Sequence, residues 1–430
     1  MKIVHIVPGA GNTFYCENCL RDNGRARILR QMGHDVIAIP MYLPILTDEA
    51  NQTTDTPLFF GGINVYLQQK FSIFRKTPRW LDKLFDSPKL LGMVADKSGM
   101  TDPVELAEMT LSMLKGEEGN QVKELERLVA WLAKEEKPDV VHLSNALLIG
   151  IARRIKQELN VPVFCSLQDE DIWIDPIPEP YQQTIWDTLS ERAAELDGFI
   201  SVSEYFKNFM SQRARIPAER IHVVYNGLNM EGYVESELPT NPPVIGFLER
   251  QCREKGLGEL VKAFIEIRKR GRLKDLKLKI MGGKTAEDKR LINELQEILK
   301  GENLSNDVEF LPNPSREEKM EFLKSITVMS VPAVHQEAFG LYIIEALAMG
   351  VPVVVPKHGA FSELLSITGG GFLCEPNSIE SLADSIESLL LEPEHAVELG
   401  RRGRKIVTDR FTVEKMAIGF LNVLETVVDK

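Results

Sequence analysis

Two glutamates eight positions apart, Glu337 and Glu345, bracket Ala338-Phe339-Gly340-Leu341 and an apolar run that ends at Gly350. Ile343, Ile344, Leu347 and Ala348 fall on one helix face, and Gly350 suits the C′ position. The backbone of Phe339, Gly340 and Leu341 then forms the helix N-terminus, where unbonded N–H groups and the positive dipole end favour an anion, phosphate above all. Glu337 stands in the loop before that terminus and Glu345 about one turn into the helix. Carboxylates beside a phosphate site accept hydrogen bonds from hydroxyls, as an acidic residue does on ribose in dinucleotide folds. The pattern suits a phosphate-bearing ligand with hydroxyls at both ends, such as a nucleotide-sugar. It equally suits a buried helix with two incidental acids.

A second cluster runs from Gly246 to Gly256. Arg250 or Arg253, together with Lys255, would neutralise a diphosphate, arginine as a bidentate fork and lysine as a point charge. A solvated charged loop is the alternative. A third group, Leu167–Trp173, follows an expected strand at Val161–Ser166. Ligands of open α/β sheets bind outside the carboxyl ends of strands, which makes Gln168, Asp169 and Asp171 candidates beside the reading as plain loop acids. The loop Pro8-Gly9-Ala10-Gly11-Asn12 lets a ligand approach the backbone closely at Gly11, although its glycines do not spell the dinucleotide fingerprint. Cys16 and Cys19 form a Cys-x-x-Cys pair with no second pair to complete a zinc site and no thioredoxin-like context, so packing or loop shaping is favoured over redox or metal roles.

These residues need strands and helices to hold them. Ile3–Val7, a helix over Leu20–Met32 and Asp35–Ile39 read as β–loop–α–β, the opening of a doubly wound domain. Ile63–Leu67 reads as a strand after a Gly61-Gly62 turn. Basic and aromatic residues interleave over 69–85; a loop packing its aromatics is favoured, beside a weak peripheral membrane contact or a wall of an acceptor site. Pro78 interrupts any long amphipathic helix there. The α/β rhythm resumes at Pro138, with Ser203 as an N-cap. Glu235–Pro243 reads as a linker, and a second α/β series begins at Val244. The expected division is a Rossmann-like domain at 1–238, a second at 239–411, and a final helix within 412–430 that returns to the first, with a cleft between the two.

The 430 residues carry a net charge of −12, with 43% hydrophobic and 27% charged residues. This is the composition of a folded protein without the basic footprint of a nucleic-acid binder. No apolar run approaches a membrane span, five cysteines imply no disulfide framework, and Met1–Val7 reads as a strand and not a signal peptide. A cytoplasmic location is expected.

The chain resembles the large retaining glycosyltransferase family 4, typified by sucrose synthase, sucrose-phosphate synthase and bacterial mannosyltransferases. The resemblance rests on Glu337 and Glu345 with Phe339-Gly340 between them, on Glu254-Lys255-Gly256, on Val202-Ser203, on Tyr225-Asn226-Gly227, and on the Gly350–Val354 and Gly359–Glu363 stretches. It implies a GT-B fold of two Rossmann-like α/β domains, the acceptor held by the first and a UDP-, GDP- or ADP-sugar mainly by the second. By position, Glu337 corresponds to the acid that contacts the transferred sugar and Glu345 to the ribose acid. Lys255 and Arg250 correspond to the diphosphate clamp, assisted by the 339–341 backbone. Phe247 stands where the family places an arginine, and Gln168-Asp169 where many members have His-Asp. The resemblance further implies a front-face mechanism with no metal or other cofactor, and a saccharide, lipid-linked or small-molecule acceptor. A non-catalytic nucleotide-sugar-binding module and a nucleotide-sugar epimerase share the architecture; acceptor-dependent product formation separates them from a transferase.

Overall fold

The computed structural model describes residues 1–9, 17–42, 59–60, 62–77 and 103–428. The chain packs as two compact units, one of Met1–Gly11, Asn18–Tyr225 and Met416–Lys430, the other of Asn12–Glu17 and Asn226–Lys415.

The first unit is built on strands β1 (Lys2–Val7), β2 (Asp35–Pro40), β3 (Val140–Leu143), β4 (Val163–Leu167), β5 (Gly198–Ser201) and β6 (Ile221–Val223). They pair in parallel in the order β2-β1-β3-β4-β5-β6. Strands buried on both faces need apolar side chains throughout, and Ile3, Val4, Val140, Val141, Val163 and Phe164 supply them. Its helices are α1 (Glu17–Gln31), α2 (Gly62–Lys70), α3 (Pro103–Leu114), α4 (Val122–Trp131), α5 (Ala152–Leu159), α6 (Glu170–Ile174), α7 (Tyr181–Ala193) and α8 (Glu204–Arg213). Ser203 caps α8, its side chain accepting from the Phe206 N–H.

Two expectations fail here. Ile63–Leu67 lies in α2 and is not a strand. The segment after β4 is not a loop throughout, because Glu170–Ile174 forms α6. Acids in a first turn complement the helix dipole, and Glu170 and Asp171 stand there.

The second unit holds β7 (Val244–Leu248), β8 (Lys277–Met281), β9 (Val308–Leu311), β10 (Val328–Met329), β11 (Val353–Pro356) and β12 (Gly371–Cys374). They form another parallel sheet, in the order β12-β11-β10-β7-β8-β9. Its helices are α9 (Leu257–Arg270), α10 (Asp288–Gly301), α11 (Arg316–Lys324), α12 (Leu341–Ala348), α13 (Phe361–Thr368), α14 (Ile379–Leu391) and α15 (Pro393–Arg410). The last helix, α16 (Val413–Val428), starts in this unit and ends in the first. The stretch read as a linker packs into the second unit: the Ser236 N–H donates to the Met349 carbonyl at 3.3 Å.

Strand order reverses beside β7, where β8 lies on one side and β10 on the other. A parallel sheet opens a crevice at such a point, outside the carboxyl ends of its strands. The loops that reach it are Glu249–Gly256 after β7 and Ser330–Gly340 after β10.

Candidate functional site

These two loops are drawn against each other by backbone. The Val334 N–H donates to the Glu254 carbonyl at 2.9 Å. Gly256 has φ +75°, and a Cβ there would lie 1.8 Å from the Pro332 carbonyl oxygen. Only glycine permits that approach. The close contact brings Lys255, the residue before it, to Glu337: Lys255 Nζ lies 2.7 Å from Glu337 Oε1 and 3.5 Å from Glu249 Oε2. His335 Nε2 reaches the same Glu337 oxygen at 3.1 Å.

The Glu337 side chain is 2% exposed. Burial alone disfavours its charge, but Lys255 and the hydrogen bond from His335 outweigh burial and hold the carboxyl down at about 2. Burial likewise opposes the Lys255 charge, and Glu249 and Glu337 overcome it, keeping the ammonium well above its usual range. The loop of Glu337 is gripped from behind by the turn before α13. The Ala360 N–H donates to the Glu337 carbonyl at 3.0 Å. A Cβ on Gly359, at φ +54°, would stand 2.8 Å from the Glu337 backbone.

Helix α12 begins at Leu341, with Gly340 as its N-cap at φ +92° and no side-chain cap bond. Phe339 is a core residue, fully buried, with its ring centroid 6.3 Å from that of Phe411. What Phe339 offers a ligand is therefore main chain, while the Leu341 N–H donates to Glu17 Oε1 at 3.1 Å. Glu345 is five residues into the helix, 2% exposed, and lies 2.7 Å from Lys319 Nζ through Oε1. The Tyr233 hydroxyl donates to that oxygen at 2.9 Å. Neither partner was foreseen from sequence. Lys319 left one signal, a lysine inside the stripe of α11 formed by Met320, Phe322 and Leu323.

Of the two arginines, Arg250 lies nearer the chemistry. It lines a pocket with Leu248, Glu249, Gly282, Gly283, Asn313, Pro314, Tyr342 and Glu345. Its guanidinium forks onto Asp288, Nε to Oδ2 at 3.0 Å and Nη2 to Oδ1 at 3.1 Å. Arg253 is 73% exposed and 3.8 Å from Glu294. Asp288 and Glu249 were also missed.

In the first unit, Gln168 follows β4 and is buried. Its Oε1 accepts from Arg21 Nη1 at 2.9 Å. Asp169 adopts φ +65° as the N-cap of α6 without a side-chain cap bond. Asp22 accepts from Arg21 Nε at 2.9 Å, from Arg25 Nη2 at 2.8 Å and from the Ser144 hydroxyl. Beneath them His5 and His142, paired in register on β1 and β3, meet through their Nδ1 atoms at 3.0 Å. Burial, reinforced by Arg25, depresses both imidazoles well below their usual range. Glu170 accepts from the Ala146 N–H at 2.8 Å, and burial pushes its carboxyl up to about 7. Gly11 and Cys16 lie outside the described residues, as does 78–85 of the basic–aromatic stretch. Within its described part, Phe71 and Ile73 are 53% and 72% exposed. No group of three His, Cys, Asp or Glu among the described residues could hold a metal ion, and no described helix is long and apolar enough to cross a membrane.

The pattern described as Glycosyl transferases group 1 matches residues 233–406, and that described as Glycosyltransferase Family 4 matches residues 110–231. An uncharacterized glycosyltransferase of Methanocaldococcus jannaschii is 26% identical over 302 residues, 69% of this chain and 78% of that protein. The human alpha-1,3/1,6-mannosyltransferase ALG2 is 25% identical over 308 residues, 66% of this chain and 72% of its own length. Among solved structures, sucrose-phosphate synthase from Thermosynechococcus elongatus superposes with a TM-score of 0.71 at 18% identity, over 100% of both chains. Anabaena HepE in complex with UDP superposes with a TM-score of 0.68 at 18% identity, over 99% of this chain and 100% of that one. With its two parallel six-stranded sheets and these matches along both of its units, the chain belongs to the family 4 glycosyltransferases of GT-B fold.

Proposed function

We propose that the protein transfers a sugar, with retention of anomeric configuration, from a nucleotide-sugar to a hydroxyl acceptor. The observation that carries this reading is the buried Lys255–Glu337 pair at the β7/β10 reversal, beside the N-terminus of α12. A diphosphate there meets the ammonium of Lys255, the Arg250 guanidinium that lines the adjoining pocket, and the positive dipole end of α12, where Glu17 holds the Leu341 N–H. Such fixed charges stabilise the leaving group most as the bond from the anomeric carbon to the phosphate oxygen breaks, because little reorganisation is needed.

Glu337, held ionised, faces the sugar and balances positive character at that carbon. The acceptor oxygen bonds to the anomeric carbon on the face that the phosphate leaves, and its proton passes to the departing phosphate oxygen. Glu345 takes the ribose hydroxyls. Gln168 serves the sugar as a neutral amide, which hydrogen-bonds without titrating near neutrality. No step calls on a metal, so EDTA should leave the rate unchanged. The UDP and UDP-glucose complexes of HepE support a nucleoside diphosphate as the donor's carrier.

The test is product analysis with UDP-, GDP- and ADP-sugars, with and without saccharide, lipid-linked and small-metabolite acceptors. An α-donor should give an α-linked product only when acceptor is present. Inverted product would refute retention. Conversion of the sugar without acceptor would identify an epimerase, and nucleotide-sugar binding with no turnover a binding module.

A further inference from the structure

Glu345 is buried, and so is Lys319, the lysine that meets it: each side chain is 2% exposed and 2.7 Å separates Nζ from Oε1. Removing one carboxylate from water carries a large desolvation cost, and a single well-placed ammonium offsets it. The second grip, from the Tyr233 hydroxyl at 2.9 Å, falls on the same oxygen. Tyr233 is itself held, since its carbonyl accepts from Arg404 Nη2 at 3.1 Å and the Arg316 guanidinium lies 5.6 Å from its ring centroid. Lys319 sits one turn into α11, whose start is fixed by a reciprocal capping box between Ser315 and Glu318. Glu345 also lines the pocket that holds Arg250, Gly282 and Asn313. The carboxylate is thus anchored through Oε1 by groups on two separate segments while its residue borders the pocket.

We propose that Lys319 and Tyr233 are positioning residues for nucleoside recognition: they fix the orientation of Glu345 so that it accepts both hydroxyls of a ribose. The inference rests on the donor-site reading given above. It goes further in naming two residues that need not touch the ligand, yet set selectivity for a ribonucleotide over its dideoxy counterpart. A carboxylate without these two partners would be free to turn away from the pocket and lose its alignment with the hydroxyls.

The experiment is calorimetric titration of the full chain with UDP, GDP and ADP, each beside its 2′,3′-dideoxy analogue. Wild type should prefer the ribose form at least tenfold, and Glu345→Gln should lose most of that preference. Lys319→Met and Tyr233→Phe should lose it in the same direction, with affinity for the dideoxy form unchanged, and Lys319→Arg should restore part of it. If Lys319→Met fails to fold, Tyr233→Phe and the charge-free double variant Lys319→Met/Glu345→Gln carry the test. The double variant should bind both forms equally. An intact preference in Tyr233→Phe, and in Lys319→Met where it folds, beside its loss in Glu345→Gln, would overturn the positioning role and leave the ribose role standing. An intact preference in Glu345→Gln would overturn the donor-site reading itself and the inference with it.

Discussion

At the scale of single residues, the two acids and the lysine were legible because local sequence announces them. Glu337 and Glu345 flank an apolar helix, and Lys255 precedes a glycine at a strand-to-helix junction. The partners of Glu345 and Arg250 were not legible, because Lys319 and Tyr233 reach Glu345 from 26 and 112 positions away and Asp288 reaches Arg250 from 38. Periodicity places a side chain on a face but does not say which distant group meets it. Lys255→Ala should lower the transfer rate by about two to three orders of magnitude, the usual effect of deleting one preorganised charge at a leaving group. Circular dichroism should show an intact fold, and unchanged turnover would remove Lys255 from the diphosphate. Because Lys255 and His335 hold the Glu337 carboxyl at about 2, Glu337 should contribute no titration to a rate profile measured above pH 4. An acidic limb that persists unchanged in Glu337→Gln, measured on its residual activity, agrees with this.

At the scale of elements, the opening β–loop–α–β was read to within a few residues, with Ile3–Val7 inside β1 and Asp35–Ile39 inside β2. Errors came where short segments depend on their surroundings. Ile63–Leu67 carries β-formers yet is helical as part of α2. Five residues of α6 have too few turns for a period to show, and Glu170 earns its burial by accepting the distant Ala146 N–H. Strand β12 and helix α13 follow turn-like sequence and were not foreseen. The capping box of α11 should be worth about 1 kcal/mol, so Ser315→Ala should lower the denaturation midpoint by a corresponding amount with the denaturant slope unchanged. Gly359→Val should do more. Its Cβ would press on the Glu337 main chain, so activity should collapse even in preparations that remain folded at the assay temperature.

At the scale of the whole molecule, the doubly wound plan of both halves was readable from alternating strand and helix signals. The interior chemistry of the first sheet was not, since His5 and His142 look like ordinary strand residues until register pairs them. That pair has a pH signature. Both imidazoles resist protonation in the fold, whereas an unfolded histidine takes a proton below about 6.5. The unfolded chain then binds more protons, and stability falls as pH drops through that value. Glu170 acts oppositely: with its carboxyl raised to about 7, its contribution to the fold is full below its ordinary value and is lost as pH rises to about 7. As pH falls from about 6.5 to 5.5 the two histidines outweigh the one carboxyl, and His222 and His358, also depressed by burial, add to the loss of stability. Chemical denaturation across that range should show it, and His142→Asn should flatten the slope. The division of the chain also bears on engineering. Lys255, Glu337, Glu345, Arg250 and their partners all come from the unit of residues 226–415, with residues 12–17. The backbone passes between units at Tyr225/Asn226 and, inside α16, at Lys415/Met416. Recombination at those two junctions would carry Lys255, Glu337, Glu345 and Arg250 with their partners as a single block into another first unit.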